Sequence, residues 1–271
     1  MECIDISGGG KPAGPQQYIF GYGSLIEDAS RLSTTPSARD AWPVKVGGIL
    51  RGWWARGAAS GLTTTFLGAI KALKPDQWCN GVIYAVSAED LAATDRRESA
   101  GYQRCRIPRD QITMLDGSAS VPEGDFWAYL NLLQPKDITH NLPSAQFPMV
   151  QSYVDICVNG CLQVEGRYRT ATGFTADFFA TTDQWSGFWV NDRVYPRRPF
   201  IFQPNAGRID TAIKAAPATK NLYYEIEIEP ASWEQRTPVR PPAEPEAAAA
   251  EAAEPGPDHP KPARSAWQRG G

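Results

Sequence analysis

The sequence predicts an α+β fold on the basis of three observations. Several short segments show the alternating or uniformly apolar patterns that are typical of β-strands. Two longer segments are typical of α-helices, one because it starts with a capping box and the other because its apolar residues recur at helical spacing. The helices are scattered irregularly among the strands instead of following each strand in turn. This favours α+β over α/β and is compatible with a closed, barrel-like sheet.

Both ends of the 271-residue chain are predicted to lie outside the folded core. Residues 1–16 are rich in glycine and lack the basic and apolar regions of a signal peptide, so we expect a disordered arm. Residues 236–271 consist largely of proline, alanine and glutamate, and such a tail has too little apolar surface to offset the entropy lost on ordering. Between these ends we expect a core over residues 17–165 and an extension over residues 166–235 that packs on the core.

The first predicted strand, residues 18–20, ends in an unusual loop. It runs directly into Gly21-Tyr22-Gly23-Ser24, whereas a plain hairpin turn favours Asn-Gly or Asp-Gly. Such a loop can approach a charged ligand closely and point its backbone N–H groups at it. The alternative is a turn that only joins a strand to a helix. Further strands are predicted over residues 44–53, 62–70, 81–86, 125–132 and, in the extension, 222–228.

Two helices are predicted within the core. The first covers residues 88–98, with Ser87 as its cap and Asp90 completing a Ser-x-x-Asp capping box. The second covers residues 149–161, where the apolar positions recur at helical spacing. A third helix is expected over residues 175–185.

Composition excludes several classes of function. The net charge of −3 gives no support for a nucleic-acid-binding face, and no run of about 20 apolar residues predicts a membrane span. The five cysteines contain no CxxC pair, so we expect reduced thiols in a cytoplasmic protein. The two histidines are a loop residue, His140, and a tail residue, His259, which makes a carboxylate the expected proton-transfer group.

Glu98 is the carboxylate that the helical spacing singles out. It lies seven residues after Leu91, the one large apolar residue of the first helix, and therefore within about 20° of the same face. An inward-facing glutamate is suited to general acid/base catalysis. Alternatively, Glu98 forms a structural pair with Arg97 or Arg104, or the helix ends early and leaves it in water.

Two motifs, in this order and spacing, resemble those of the γ-glutamylcyclotransferase-like family. The first is Gly-Tyr-Gly-Ser-Leu over residues 21–25, and the second is Asp-x-Arg-Glu-x-x-Gly-Tyr, which ends at Gly101-Tyr102. The similarity covers residues 18–162. Many relatives have Asn where this chain has Leu25, and the motifs do not cover residues 163–233.

The resemblance implies a small mixed β-barrel with flanking helices, followed here by the C-terminal extension. It implies a γ-glutamyl cyclotransferase, which closes a γ-glutamyl amide to 5-oxoproline and releases an amine without metal or cofactor. It implies that Glu98 is the general acid/base. The residues that it implies for substrate binding are Phe20, Gly21, Tyr22, Gly23, Ser24, Leu25, Tyr129 and Tyr153, and Tyr153 lies seven residues before Gly160 as in the family.

Several alternatives remain open at the level of sequence. Tyr129 and Tyr153 are each compatible with simple core packing. Arg193, Arg197 or Arg198 in the extension could bind an anionic substrate group, but solvated arginines on a packed extension whose tryptophans enter the core are favoured. The expected partner is a small γ-glutamyl molecule, with no nucleic acid and no membrane, and the oligomeric state is unknown. A non-catalytic metabolite-binding protein and a biosynthetic γ-glutamyl deprotecting enzyme are the alternative functions.

Overall fold

Strands and helices are interspersed irregularly along the chain, so the predicted α+β class is confirmed. The structure, a computed structural model, describes residues 1–4, 15–59, 61–98, 101–133, 135–198 and 205–229. The strands are β1 (Cys3–Ile4), β2 (Gln17–Gly21), β3 (Ala41–Gly47), β4 (Ile49–Ala59), β5 (Leu62–Lys71), β6 (Trp78–Val86), β7 (Tyr102–Ile107), β8 (Ile112–Met114), β9 (Asp125–Asn131), β10 (Met149–Val150), β11 (Thr182–Asp183), β12 (Trp189–Asn191) and β13 (Glu227–Ile228). The α-helices are α1 (Asp28–Thr34), α2 (Ala88–Glu98), α3 (Pro135–Ile138), α4 (Gln151–Arg167), α5 (Phe174–Ala180) and α6 (Ala206–Ala215). Short 3-10 helices cover Ser24–Ile26, Arg109–Gln111, Thr139–Asn141 and Leu222–Glu225.

The strands of the described residues form three open sheets, and the expected barrel is not observed. The largest sheet has the order β1-β7-β9-β2-β6-β3-β8, in which β2 and β9 are parallel and the other neighbours are antiparallel. Gly48, with φ of 75°, then turns the chain out of this sheet into the β4–β5 hairpin. Because β4 pairs with β5 on one side and with β11 on the other, these strands form a separate sheet and do not join the edges of the large sheet into a cylinder.

The position of β2 explains where its glycine loop lies. All five of its residues are buried, and it pairs with β6 on one side and with β9 on the other. A strand buried on both faces has a continuous apolar sequence, as Tyr-Ile-Phe shows here. The loop therefore leaves the middle of the sheet, between the ends of neighbouring strands.

α2 has the predicted bounds, and its sequence accounts for where it begins. The Ser87 hydroxyl accepts a hydrogen bond from the Asp90 N–H at 3.0 Å, as a helix cap does. In a capping box the Asp90 carboxylate would also accept a hydrogen bond from the Ser87 N–H. Here that carboxylate is hydrogen-bonded to the Ser37 hydroxyl instead. Leu91 is completely buried and fixes which face of α2 meets the core.

α4 starts and ends later than predicted and is buried almost all round. Its polar residues Ser152, Asp155 and Asn159 are buried together with its apolar ones, so the hydrophobic pattern alone understated its length. At Gly160 the helix touches the turn that precedes α1, where an added Cβ would lie 2.5 Å from the Glu27 nitrogen. α4 is thus the support on which the glycine loop rests.

The extension packs on the core through strands, helices and buried ion pairs. β11 pairs with β4, and β12 pairs with β10. Trp189 is buried, as expected. The expectation of solvated arginines is wrong for Arg193, which is bound by Asp155 and Asp210, and for Arg197, which is paired with Glu229. The predicted strand 222–228 is mostly a 3-10 helix, and its last two residues pair with β12.

The expectation that all five cysteines are reduced thiols is wrong. Cys3 and Cys105 form a disulfide because antiparallel pairing of β1 with β7 places them opposite each other. The part of the expected N-terminal arm that is described therefore includes a strand, whereas the predicted tail over residues 236–271 lies outside the described residues. Cys79, Cys157 and Cys161 are free and buried. Among the described helices, none has the length and apolar character that crossing a bilayer requires.

Candidate active site

One cavity of about 320 Å³ is lined by every residue that the sequence singled out for the site. It lies where the end of β2, the last turn of α2, β9, and the first turn of α4 come together. The nine expected residues that line it are Phe20, Gly21, Tyr22, Gly23, Ser24, Leu25, Glu98, Tyr129 and Tyr153. The acid is therefore neither in bulk solvent nor separated from the loop by packed protein.

The glycines of the loop are required by close contacts. A Cβ on Gly21 would lie 2.8 Å from the Leu25 Cβ, because the chain folds back over it into a 3-10 turn. A Cβ on Gly23 would lie 3.1 Å from the Tyr153 hydroxyl oxygen. The first N–H groups of a helical turn have no acceptor within that turn, so this loop presents backbone donors beside the cavity.

Two buried arginines hold the carbonyl groups of the loop from behind. Arg51 Nη1 donates to the Tyr22 carbonyl at 2.9 Å, and Arg31 Nη1 donates to the Leu25 carbonyl at 3.3 Å. In a trans peptide the C=O and N–H groups point in opposite directions. The bond from Arg51 therefore turns the Gly23 N–H away from the guanidinium, and Gly23 lines the cavity.

Arg51 is an unusual cation, since its contacts are with neutral groups. It is fully buried and donates further hydrogen bonds to Asn80, Phe178, Thr181 and Thr182. No carboxylate among the described residues lies within ion-pair distance of it. Burial lowers the pKa of Arg51 from its ordinary value. Its charge is satisfied by carbonyl and hydroxyl dipoles that also order the loop.

Glu98 reaches the cavity from the last turn of α2. Thr94, Arg97 and Glu98 all line the cavity because residues three and four apart share one helix face. The Glu98 side chain is 22% exposed, and its Oε1 lies 2.5 Å from Arg97 Nη2. The carboxylate is thus both open to a ligand and held by a neighbouring guanidinium.

The tyrosine hydroxyl groups around the cavity differ in what they contact. Tyr22 donates to the Tyr129 carbonyl at 2.8 Å, which fastens the loop to β9. Tyr129 donates to Asp95 Oδ1 at 2.7 Å, and Asp95 also binds Arg104 at 2.6 Å. Burial, followed by the neighbouring Asp95, raises the pKa of Tyr129 above its ordinary value. The Tyr129 hydroxyl therefore links α2 to the sheet, and its ring lines the cavity.

Tyr153 connects α4 to the loop. Its hydroxyl oxygen lies against the loop, 3.1 Å from where a Cβ on Gly23 would be, and its ring packs edge-on against Phe66 with 4.9 Å between centroids. Burial raises the pKa of Tyr153 well above its ordinary value, so the hydroxyl remains protonated. It can serve as a neutral hydrogen-bond donor at the cavity wall.

Sequence reasoning did not select the other residues that line the cavity. The aromatic and cationic ones among them are Phe66, Tyr102, Arg97 and Arg198. Tyr102 was present in the second motif, directly after its glycine, and burial followed by the nearby Glu98 raises its pKa. Arg198 is one of three arginines of the extension, and no local signal in the sequence distinguishes it from Arg193 and Arg197.

The arrangement is suited to a zwitterionic ligand. Backbone donors and tyrosine hydroxyls favour a carboxylate or a developing oxyanion, and a single carboxylate can hold or accept protons from an ammonium group. Phe20 and Phe66 add apolar surface to the walls. Such a cavity can position an amine, a carboxylate and a carbonyl of one small molecule together.

Comparisons with known proteins find matches among solved structures. No protein-family model matches the sequence, and no match is found among curated proteins. Solved structures that match include a γ-glutamyl cyclotransferase at 14% identity and a TM-score of 0.42, covering 58% of this chain and 87% of that one. A yeast γ-glutamyl cyclotransferase specific to glutathione matches at 12% identity and a TM-score of 0.38, covering 59% of this chain and 97% of that one. An uncharacterised human protein matches at 14% identity and a TM-score of 0.42, and the match covers 59% of this chain and 88% of that one. At these identities the similarity concerns the fold alone.

Proposed function

We propose that this chain is a γ-glutamyl cyclotransferase, which converts a γ-glutamyl amide to 5-oxoproline and an amine. The observation that carries the proposal is that Glu98 and the Gly21–Leu25 loop line the same cavity. The reaction is intramolecular: the α-amine of the glutamyl group attacks its own γ-carbonyl. Catalysis then depends mainly on holding a reactive conformation, which a small, largely preformed cavity favours.

Glu98 moves the protons in the proposed reaction. The α-ammonium of the substrate gives up two protons in succession as its nitrogen attacks the carbonyl carbon. The former amide nitrogen accepts two, and leaves as an ammonium when its bond to that carbon breaks. A carboxylate beside both nitrogens can accept and return each proton, so the overall reaction consumes no water. Arg97, bound to Glu98, keeps the carboxylate oriented toward the cavity.

The glycine loop supplies the electrostatic part. Its backbone N–H groups, together with the hydroxyls of Ser24 and Tyr153, bind the α-carboxylate or the oxyanion that develops on the γ-carbonyl. These donors are held in place by Arg51 and Arg31 from behind, so little reorganisation accompanies the reaction. No metal or cofactor is required by this chemistry.

The test is release of 5-oxoproline from a panel of γ-glutamyl amides, with the purified full-length chain. Glu98→Gln keeps the size of the side chain and removes the base, so we expect kcat to fall about 10²- to 10⁴-fold. Glu89→Gln is the matched control, since Glu89 is exposed on the first turn of the same helix and outside the cavity. Full activity in Glu98→Gln would refute the assignment of the base.

The same panel separates the alternatives. Binding of γ-glutamyl compounds without turnover by the wild-type chain would indicate a metabolite-binding protein. Turnover confined to a single amide, with a distinctive released amine, would indicate a dedicated deprotecting enzyme.

A further inference from the structure

Arg51 lies behind the glycine loop as a buried cation among neutral groups. It is completely buried on β4, and its guanidinium lies over the Phe178 ring, with Cζ 4.2 Å from the ring centre. All three of its nitrogens donate hydrogen bonds, and every acceptor is a carbonyl, amide or hydroxyl oxygen. The charge is therefore solvated by dipoles instead of being paired with an anion.

The thiol groups around Arg51 do not supply a counter-charge. Cys79, Cys157 and Cys161 are buried and interact electrostatically with the guanidinium. Burial raises the pKa of Cys79 to about 11 and that of Cys157 to about 12, and it raises the pKa of Cys161 well above its ordinary value. All three are thus neutral at physiological pH, and in the described part of the chain no carboxylate is within ion-pair distance of Arg51.

Holding the loop does not by itself account for a cation at this position. An ion loses its hydration on burial, and buried charges in proteins are normally paired. A neutral amide also donates hydrogen bonds to a carbonyl such as that of Tyr22. What a cation adds is a field that extends beyond its own hydrogen bonds.

The field of Arg51 acts along the Tyr22–Gly23 peptide toward the cavity. Arg51 Nη1 donates to the Tyr22 carbonyl at 2.9 Å, and the N–H of a trans peptide points away from its C=O. Positive charge at the oxygen polarises the amide and makes its N–H a stronger donor. Among the described residues, the Gly23 N–H has no hydrogen-bond acceptor, and Gly23 lines the cavity beside the Tyr153 hydroxyl. This donor is therefore left for a ligand.

We propose that Arg51 is a positioning residue whose charge acts through the Tyr22–Gly23 peptide and strengthens the Gly23 N–H as a donor to the oxyanion that develops on the γ-carbonyl. This rests on the proposed function and assigns the oxyanion, among the anionic groups of the reacting substrate, to this N–H. Because Arg51 does not touch the substrate, its effect is electrostatic and greatest where negative charge develops. We therefore expect it to act on kcat and to leave KM nearly unaltered.

Asn80→Asp tests the charge without replacing Arg51. The Asn80 side-chain oxygen accepts a hydrogen bond from Arg51 Nη2 at 3.1 Å, so an aspartate keeps the shape and the acceptor and adds a counter-charge. It also loses the hydrogen bond that the Asn80 amide donates to the Phe174 carbonyl at 2.7 Å. Asn80→Ala is the matched control, because it loses the same bond and adds no counter-charge.

The measurement is kcat and KM for release of 5-oxoproline by wild type and both variants, with melting temperatures to show that each is folded. Asn80→Asp should lower kcat about 10- to 100-fold, less than loss of a whole oxyanion donor, with KM within about threefold. Asn80→Ala should lower kcat less than Asn80→Asp does. A purely structural role predicts the opposite order, because truncating a buried side chain disturbs packing more than an isosteric change. The amide nitrogen NMR resonance of Gly23 should move upfield in Asn80→Asp, which reports the lost polarisation without turnover.

Several outcomes overturn the inference. Unchanged kcat in a folded Asn80→Asp chain, a rise in KM alone, or a Gly23 resonance that does not move would each refute it and leave the proposed function intact. No release of 5-oxoproline by the wild-type chain would refute both proposals. If Asn80→Asp does not fold, Arg51→Lys and Arg51→Gln carry the test. Lysine keeps the charge and should retain more of kcat than glutamine, and equal losses would count against the charge.

Discussion

Replacement of Gly160 by alanine should destabilise the protein, against the usual preference of helices for alanine. An interior Gly→Ala change in a helix normally gains about 1 kcal/mol. Here the new Cβ would lie 2.5 Å from the Glu27 nitrogen and 2.8 Å from the Ile26 carbonyl carbon. These are backbone atoms, so no side-chain rotation relieves the contact. Overpacking of this kind costs about 1–3 kcal/mol. Because the contact is with backbone atoms, we expect the cost of Gly160→Ala at the upper end of that range.

The expected net result is a loss of about 2 kcal/mol in the free energy of unfolding, because the steric cost exceeds the helical gain. For a domain of this size, this corresponds to a melting temperature lower by about 4–8 °C. The shift should also reduce activity, because α4 and the turn at Glu27 hold the loop. The Glu27 carboxylate is bound by Asn159 and Gln163 of the same helix.

Gly166 of the same helix provides the matched control. It is exposed, and a Cβ built on it meets no atom within 4 Å. Gly166→Ala should therefore stabilise the protein by about 0.5–1 kcal/mol. Both variants are compared by urea unfolding and by thermal melting at one pH. The reasoning is refuted if Gly160→Ala is as stabilising as Gly166→Ala.

Three further predictions concern residues around the cavity and the sheet. Arg51→Met should lower the free energy of unfolding by at least about 3 kcal/mol, because it leaves several buried carbonyl groups without donors; a near-wild-type urea midpoint would contradict this. Cys3→Ser removes a disulfide that closes a loop of 102 residues. It should lower the free energy of unfolding by about 2–4 kcal/mol, which a lower melting temperature would show. Reductant should then affect only the wild-type chain, and equal effects on both would count against the disulfide. Burial alone would raise the pKa of Asp28, but hydrogen bonds from Arg167 and Arg31 outweigh this and hold its pKa below 3.8. Asp28→Asn should therefore lower the free energy of unfolding above pH 3.8, and this loss should vanish as the pH falls through the lower pKa of the folded state. Unfolding midpoints of both chains across about pH 2–7 check this. A difference between the chains that does not change with pH would argue against it.

The loop and α4 depend on each other. The loop cannot take its shape without the close approach of Gly21 and Gly23, and α4 cannot support it without Gly160. Tyr153 lies seven residues before Gly160, two helical turns along the same face. The spacing that the sequence displays is therefore a packing requirement. Gly160 allows the helix to approach the backbone of the turn, and the Tyr153 hydroxyl lies against Gly23 of the loop.

Local patterns were sufficient to determine the α+β class, the bounds of α2 and the face on which Glu98 lies. They act within a few residues: a capping serine, one large apolar side chain, two glycines in a loop. Tertiary structure alone decided that the sheets stay open, that Cys3 pairs with Cys105, and that the Tyr129 hydroxyl is bound by Asp95. It also decided which arginine of the extension enters the cavity. The physical reason is that each of these depends on contacts between residues far apart in the chain. The three arginines have the same chemistry, and only packing decides that Arg198 lines the cavity.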